Sequence, residues 1–167
     1  MAYNQGLDVH YYDEDNVDDG DGMGIVFNAV SNAIAHRGVT NVAIFGHSHG
    51  GGSTYHLAYG LDNNRANIGN FSIEATVYVD AIKSSGTGSK DSEIRLPPGT
   101  QYHANYYQRH DPPWPIPTIR GDFVPGATIN LNVNETTWGV NLGHGEIDND
   151  PTVQVLVRDF LMYFIKP

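Results

Sequence analysis

An α/β fold built on a largely parallel sheet is what this sequence predicts, and three observations predict it. Apolar strand-like runs alternate in order with segments of helical period, the pattern of a sheet whose strands are joined by helical crossovers. Residues 41–45, NVAIF, form a short continuous apolar run, as a strand buried on both faces requires. The chain ends in a long amphipathic segment able to cover one face of such a sheet. At 167 residues the length fits a single domain spanning 1–167. No internal repeat or long linker divides it.

Val9 to Tyr12 is a short β-branched and aromatic run and predicts the first strand. Residues 23–36 place Val26, Val30, Ala33 and Ile34 on one helical face, and Gly38 supplies a stop. After the strand at 41–45, residues 53–61 read as helix, followed by turn residues Asp62, Asn63 and Asn64. Ser72 to Val79 predicts a strand, residues 84–100 a loop and Tyr102 to Gln108 another strand. A Pro-rich loop covers 111–118, and the alternating ATINLNV predicts a strand over Ala127 to Val133. The last helix is the best defined. Asp150 is its expected N-cap, Pro151 suits the first turn, and Val153, Leu156, Val157, Phe160, Leu161, Phe164 and Ile165 make a single apolar stripe.

Lysine and arginine number 9 against 19 acidic residues, a formal charge of −10, and this balance argues against nucleic acid as a partner, whose phosphates it would repel. Six of the acidic residues fall between Asp13 and Asp21. That run fits no EF-hand loop and reads as a solvated acidic loop rather than a calcium site. With 40% hydrophobic residues the chain is not a disordered acidic tail. No apolar run is long enough for a transmembrane segment. Met1 to Leu7 lacks the charge and apolar core of a secretory signal, so a soluble chain is expected, cytoplasmic, or secreted if an upstream segment were removed. Without cysteine there are no disulfides, thiolate zinc sites or cysteine nucleophiles.

The chemical signature is Gly46-His47-Ser48-His49-Gly50, a G-x-S-x-G that directly follows the predicted buried strand and opens a helix. A serine lifted on a sharp, strained turn there is exposed as a nucleophile, and the flanking glycines remove side chains that would strike the neighbouring strand and helix. The N–H of His49, at the helix start, would face an oxyanion with the helix dipole behind it. No phosphate-loop glycine pattern is present.

Taken with TVYVDAI and NLGHGEIDNDPTVQVLV, the run NVAIFGHSHGGGSTYHLA resembles the α/β-hydrolase superfamily, specifically its bacterial lipase- and esterase-like serine hydrolases. The resemblance implies a minimal, mostly parallel sheet flanked by helices, with few strands before the nucleophile elbow. It also implies the triad order Ser…Asp…His, which this chain supplies as Ser48, Asp80 and His144. Ser48 would be the nucleophile, His144 the general base, and Asp80 the group that fixes the imidazole. Asp80 ends an apolar strand, where a carboxylate is costly unless paired, though it could instead cap local N–H groups. Asp111 is its rival, less favoured beside Pro112 and Pro113. His144 lies between Gly143 and Gly145, a mobile setting suited to a catalytic loop.

His47 and His49 flank the serine on a tight turn and are expected to serve packing, pocket lining or substrate contact. His47, His49 and His56 match no zinc spacing, and the reading calls for no cofactor and no metal. Tyr102, Tyr106, Tyr107 and Trp114 are candidates to line a pocket. The implied activity is carboxylic ester hydrolysis on a small-molecule or lipid ester. Thioester or amide cleavage on the same triad is the alternative, as is a non-catalytic binding module with an incomplete oxyanion hole. The family's early oxyanion loop is missing, and Tyr3, Asn4 or Gln5 could supply the second donor. Fewer strands before Asn41 would leave an exposed strand edge, so a homo-oligomer is expected, with contact through the N-terminal strand or the helix over 23–36.

Overall fold

In the computed structural model, residues 6–13, 16–17, 23–84, 90–110 and 118–165 are described. The elements run α1 (Ile25–Arg37), β1 (Asn41–His47), α2 (His49–Asn63), α3 (Arg65–Ile68), β2 (Ser72–Val79), β3 (Thr100–Tyr107), β4 (Ile129–Asn132) and α4 (Pro151–Phe164). All three strand pairings are parallel, and the order across the sheet is β1-β2-β3-β4. Helices cover both faces, so the fold is α/β, as the alternation of patterns predicts.

One irregularity in β2 decides which face each core residue joins. Val42 pairs with Ile73, but Ala43 pairs with Ala75, so Glu74 is an extra residue in β2 and the alternation flips there. Ile73 therefore packs with Val26, Phe27, Ile34, Leu57 and Leu61 of α1 and α2. Ala75, Val77 and Val79 point the other way and join Val153, Val157 and Phe160 of α4. The α4 stripe is the one the sequence predicts. Its cap also forms, with the Asp150 carboxylate accepting the N–H groups of Thr152 (2.8 Å) and Val153 (3.1 Å).

Three expectations are corrected. Val9 to Tyr12 forms no strand: Val9 and Tyr11 are exposed, and Asp8 pairs instead with Arg37 at the end of α1. A β-prone run becomes a strand only where it meets a partner, and this one is tied to the end of α1 rather than to the open edge of β1. β1 is not buried on both faces, because it is an edge strand, and Phe45 is 54% exposed. The helix expected from 53 begins at His49, directly after the serine. No helix among the described residues is long and apolar enough to cross a membrane.

Candidate active site

Because every strand runs the same way, the segments leaving their carboxyl ends meet at one end of the sheet, where α/β proteins place their ligands. Ser48 leaves β1, Asp80 leaves β2, Gln108 leaves β3, and the chain beyond β4 carries His144. The structure brings Ser48, Asp80 and His144 together. His144 Nε2 lies 2.8 Å from Ser48 Oγ, and its Nδ1 lies 2.6 Å from Asp80 Oδ2. A carboxylate only accepts, so Nδ1 carries the proton and Nε2 offers its lone pair to the serine hydroxyl.

Ser48 sits at φ 56°, ψ −127°, and Asp80 at φ 44°. They are the two non-glycine residues with positive φ among the described residues. Such a conformation costs ~1–3 kcal/mol and persists only where the surroundings enforce it. Here the enforcement is visible. Ser48 N–H bonds to the Val79 carbonyl (3.1 Å), and the Ser48 carbonyl accepts from Ile82 N–H (3.0 Å) and Gly51 N–H (2.9 Å). The turn is thus stitched to the segment that carries Asp80.

The glycines of the signature separate into required and unrequired. A Cβ on Gly46 would fall 2.0 Å from the Gly50 carbonyl oxygen, and Cβ atoms on Gly51 and Gly52 would strike Ala81 and the Ser84 main chain. Gly50 has open space around it, which corrects the expectation that both flanking glycines avoid collision.

Asp80 is fully buried. Its Oδ1 accepts from the N–H groups of Gln108 (3.1 Å) and Gly121 (2.5 Å), and its Oδ2 from Gln108 Nε2 (2.9 Å) as well as His144. Four donors satisfy a carboxylate that burial would otherwise penalise heavily. The Gln108 amide is oriented without ambiguity. Its Nε2 also donates to the Ile119 carbonyl, while its Oε1 accepts from His110 N–H. At Gly121 a Cβ would come 2.8 Å from Asp80 Oδ1 and 2.9 Å from Tyr107 Cβ, so only glycine lets that N–H approach.

Gln108 and Gly121 were not anticipated. Gln108 could have been found as the residue immediately beyond a parallel strand; nothing in the local sequence marks Gly121. The rival Asp111, together with Trp114 and with Tyr3, Asn4 and Gln5, lies outside the described residues.

The loop bearing His144 is held from both sides. The Asn134 side-chain amide donates to the carbonyls of Gly139 (2.9 Å) and Leu142 (3.0 Å), and its oxygen accepts from Arg109 N–H (2.5 Å). Ile147 is fully buried in the α4 cluster. His47 donates through Nε2 to the His144 carbonyl (3.1 Å). Burial pushes the His47 imidazole below its ordinary range, and the neighbouring Asp148 carboxylate opposes that only in part. His49 is the first residue of α2, so its N–H is one of the unpaired donors of a helix start, and its ring Nε2 is buried without a partner among the described residues.

Two of the expected pocket aromatics serve elsewhere. Tyr106 is buried under α4, with its hydroxyl 3.5 Å from the Leu156 carbonyl, and Tyr102 stacks on Phe164. Tyr106 also lines an open apolar groove of about 360 Å³ with Ile129, Leu156, Phe160, Tyr163 and Phe164, a lining that includes none of Ser48, Asp80 and His144. Tyr107 is half-buried, with the Arg109 guanidinium over its ring. Among the described residues no three His, Asp or Glu side chains gather as a metal ion would need.

No family model, curated protein or solved structure matches this chain. The chemistry is therefore read from the site itself. A hydroxyl that donates to an imidazole, which in turn donates to a buried carboxylate, is an arrangement suited to nucleophilic catalysis.

Proposed function

We propose that this protein is a serine hydrolase of the α/β-hydrolase kind that cleaves carboxylic esters through an acyl-enzyme on Ser48. The observation that carries the reading is the hydrogen-bonded chain from Ser48 Oγ through His144 to Asp80, with the serine held at positive φ at the end of a parallel strand. Ser48 Oγ attacks the ester carbonyl as His144 Nε2 takes its proton. The oxyanion forms beside the His49 N–H at the start of α2, and His144 then returns the proton to the departing alkoxide. Water, deprotonated by His144, attacks the acyl-enzyme and releases the acid, which restores Ser48. Asp80 keeps the proton on Nδ1 throughout and stabilises the imidazolium.

The substrate class is a small-molecule or lipid ester, with thioesters and amides tested beside it. Purified protein should hydrolyse a short-chain p-nitrophenyl ester and take a fluorophosphonate adduct, located on Ser48 by mass spectrometry, and Ser48→Ala should abolish both. Wild-type turnover in folded Ser48→Ala would overturn the reading.

A homo-oligomer belongs to the same proposal. Among the described residues β1 pairs only with β2, so its outer edge, next to Ser48 and with Phe45 exposed, is open to a strand from another copy.

A further inference from the structure

We propose that His47 is a positioning residue: by donating to the His144 carbonyl, it holds the His144 imidazole in register with Ser48. The proposal rests on the reading of Ser48 and His144 as nucleophile and base.

The two histidines stand on unlike foundations. His47 is the last residue of β1, its backbone paired with Val79 in the sheet. His144 lies between two glycines in a turn outside any strand or helix, its loop tied by Asn134 at the Leu142 carbonyl and by Ile147 N–H at the Gly143 carbonyl, which leaves the carbonyl of His144 itself to His47. The tie between them is His47 Nε2–H to the His144 carbonyl oxygen, 3.1 Å. A carbonyl only accepts, which settles that Nε2 carries the proton. The other ring nitrogen, Nδ1, lies 3.5 Å from Asp148 Oδ2 in the 3₁₀ turn Ile147–Asn149. With the proton on Nε2, Nδ1 offers Asp148 only a lone pair, so the grip of His47 on the segment 144–148 is the bond to the His144 carbonyl. The two rings are also in contact, with centroids 5.0 Å apart and planes 33° apart.

The charges around His47 fit this role. The titratable groups facing it are Asp148 from the 3₁₀ turn, His144 from its loop and Asp80 from the end of β2. Desolvation and the charge of His144 disfavour a second proton on the ring, the Asp148 and Asp80 carboxylates and the bond to the His144 carbonyl favour it, and burial outweighs them. At neutral pH the ring is uncharged, so it keeps its single proton on the nitrogen that grips the loop. It also places no second positive charge beside the imidazolium that proton transfer creates on His144.

The test compares His47→Phe, which keeps a ring against His144 but has no N–H, with His47→Gln, whose amide Nε2 can still donate. Three quantities are read in protein shown folded by circular dichroism: kcat and KM on an activated ester, the rate of fluorophosphonate labelling of Ser48, and the ring-¹⁵N spectrum of His144. Loss of one positioning hydrogen bond predicts that His47→Phe lowers kcat and the labelling rate about ten-fold, with KM within about two-fold. His47→Gln should recover most of that loss. The Nδ1 proton of His144, held against Asp80, should be sharp in the wild type and His47→Gln and exchange-broadened in His47→Phe. If His47→Phe does not fold, His47→Asn takes its place, because its shorter amide stops near the Nδ1 position and cannot reach the carbonyl.

Equal labelling rates and equally sharp His144 resonances in wild type and His47→Phe would overturn the proposal. So would a His47→Gln variant as impaired as His47→Phe. If wild-type Ser48 is never labelled while the His144 resonance still broadens in His47→Phe, the hydrolase reading fails and the positioning role stands.

Discussion

The backbone at Ser48 makes a stability prediction that does not depend on knowing the substrate. At φ 56°, ψ −127° the Cβ of any L-residue is strained, by about 1–3 kcal/mol, whereas glycine is at ease. Consider Ser48→Ala and Ser48→Gly. Both remove the hydroxyl that bonds to His144, so that loss cancels between them. Alanine keeps the strained Cβ. Glycine relieves it and gives back about 0.5–1 kcal/mol in the entropy of its unfolded chain. The difference leaves Ser48→Gly more stable than Ser48→Ala by about 1 kcal/mol, or roughly 2–4 °C in Tm for a chain of this size. At an ordinary helical position the order is reversed. Arg158, exposed in the middle of α4, provides the control: there the alanine variant should be the more stable by about 1 kcal/mol. Thermal and urea unfolding followed by circular dichroism measure all four variants. A Ser48→Ala protein as stable as Ser48→Gly, with the Arg158 pair behaving normally, would refute the claim that this turn stores strain.

The remaining predictions use other parts of the molecule. Asp80→Asn puts an amide where a carboxylate accepts four hydrogen bonds, so the Nδ1–H tautomer of His144 is lost and kcat should fall about 10⁴-fold, while Asp111→Asn costs little; the opposite ranking in measured kcat would move the role to Asp111. His103 is buried with its Nδ1 on Thr76, and burial lowers it from 6.5 to about 3. Between those values the unfolded chain binds a proton that the folded one refuses, so this group's contribution is complete above pH 6.5 and is lost as pH falls, by about 3 kcal/mol at pH 4.5. Urea unfolding of wild type and His103→Asn at pH 7.5 and 4.5 should show the variant gaining on the wild type by that amount, and a pH-independent gap would contradict it. Light scattering at micromolar concentration should give a mass above that of one chain, and a mass near 18 kDa unchanged by dilution would rule out pairing through β1.

What the sequence reveals of this site follows from which interactions are local. Ser48 is legible because strain, strand and helix are all encoded within a few residues of it. The α4 cap and stripe are legible for the same reason. Val9 to Tyr12 misleads because a strand is defined by its partner, and no short run of sequence shows whether one is available. The first turn of α2 is hard to read as helix because Gly50 to Gly52 are poor helix formers, two of them, Gly51 and Gly52, kept small by the close approach of Ala81 and Ser84. The support of Asp80 is less visible still, since two of its four donors are main-chain N–H groups, at Gln108 and Gly121, and the need for glycine at 121 arises only from the distant Asp80 and Tyr107 that crowd it. Yet one rule recovers part of it. Once a parallel sheet is inferred, the residues just beyond each strand's carboxyl end must converge, whatever their type. Applied here, that rule points to Ser48 after His47, Asp80 after Val79 and Gln108 after Tyr107 without any motif. It also singles out His47 as the residue whose side chain leaves the sheet at the rim of the same site, where its neighbour across the loop is His144. Topology thus locates the candidates, and only the three-dimensional loop paths decide which of them touch.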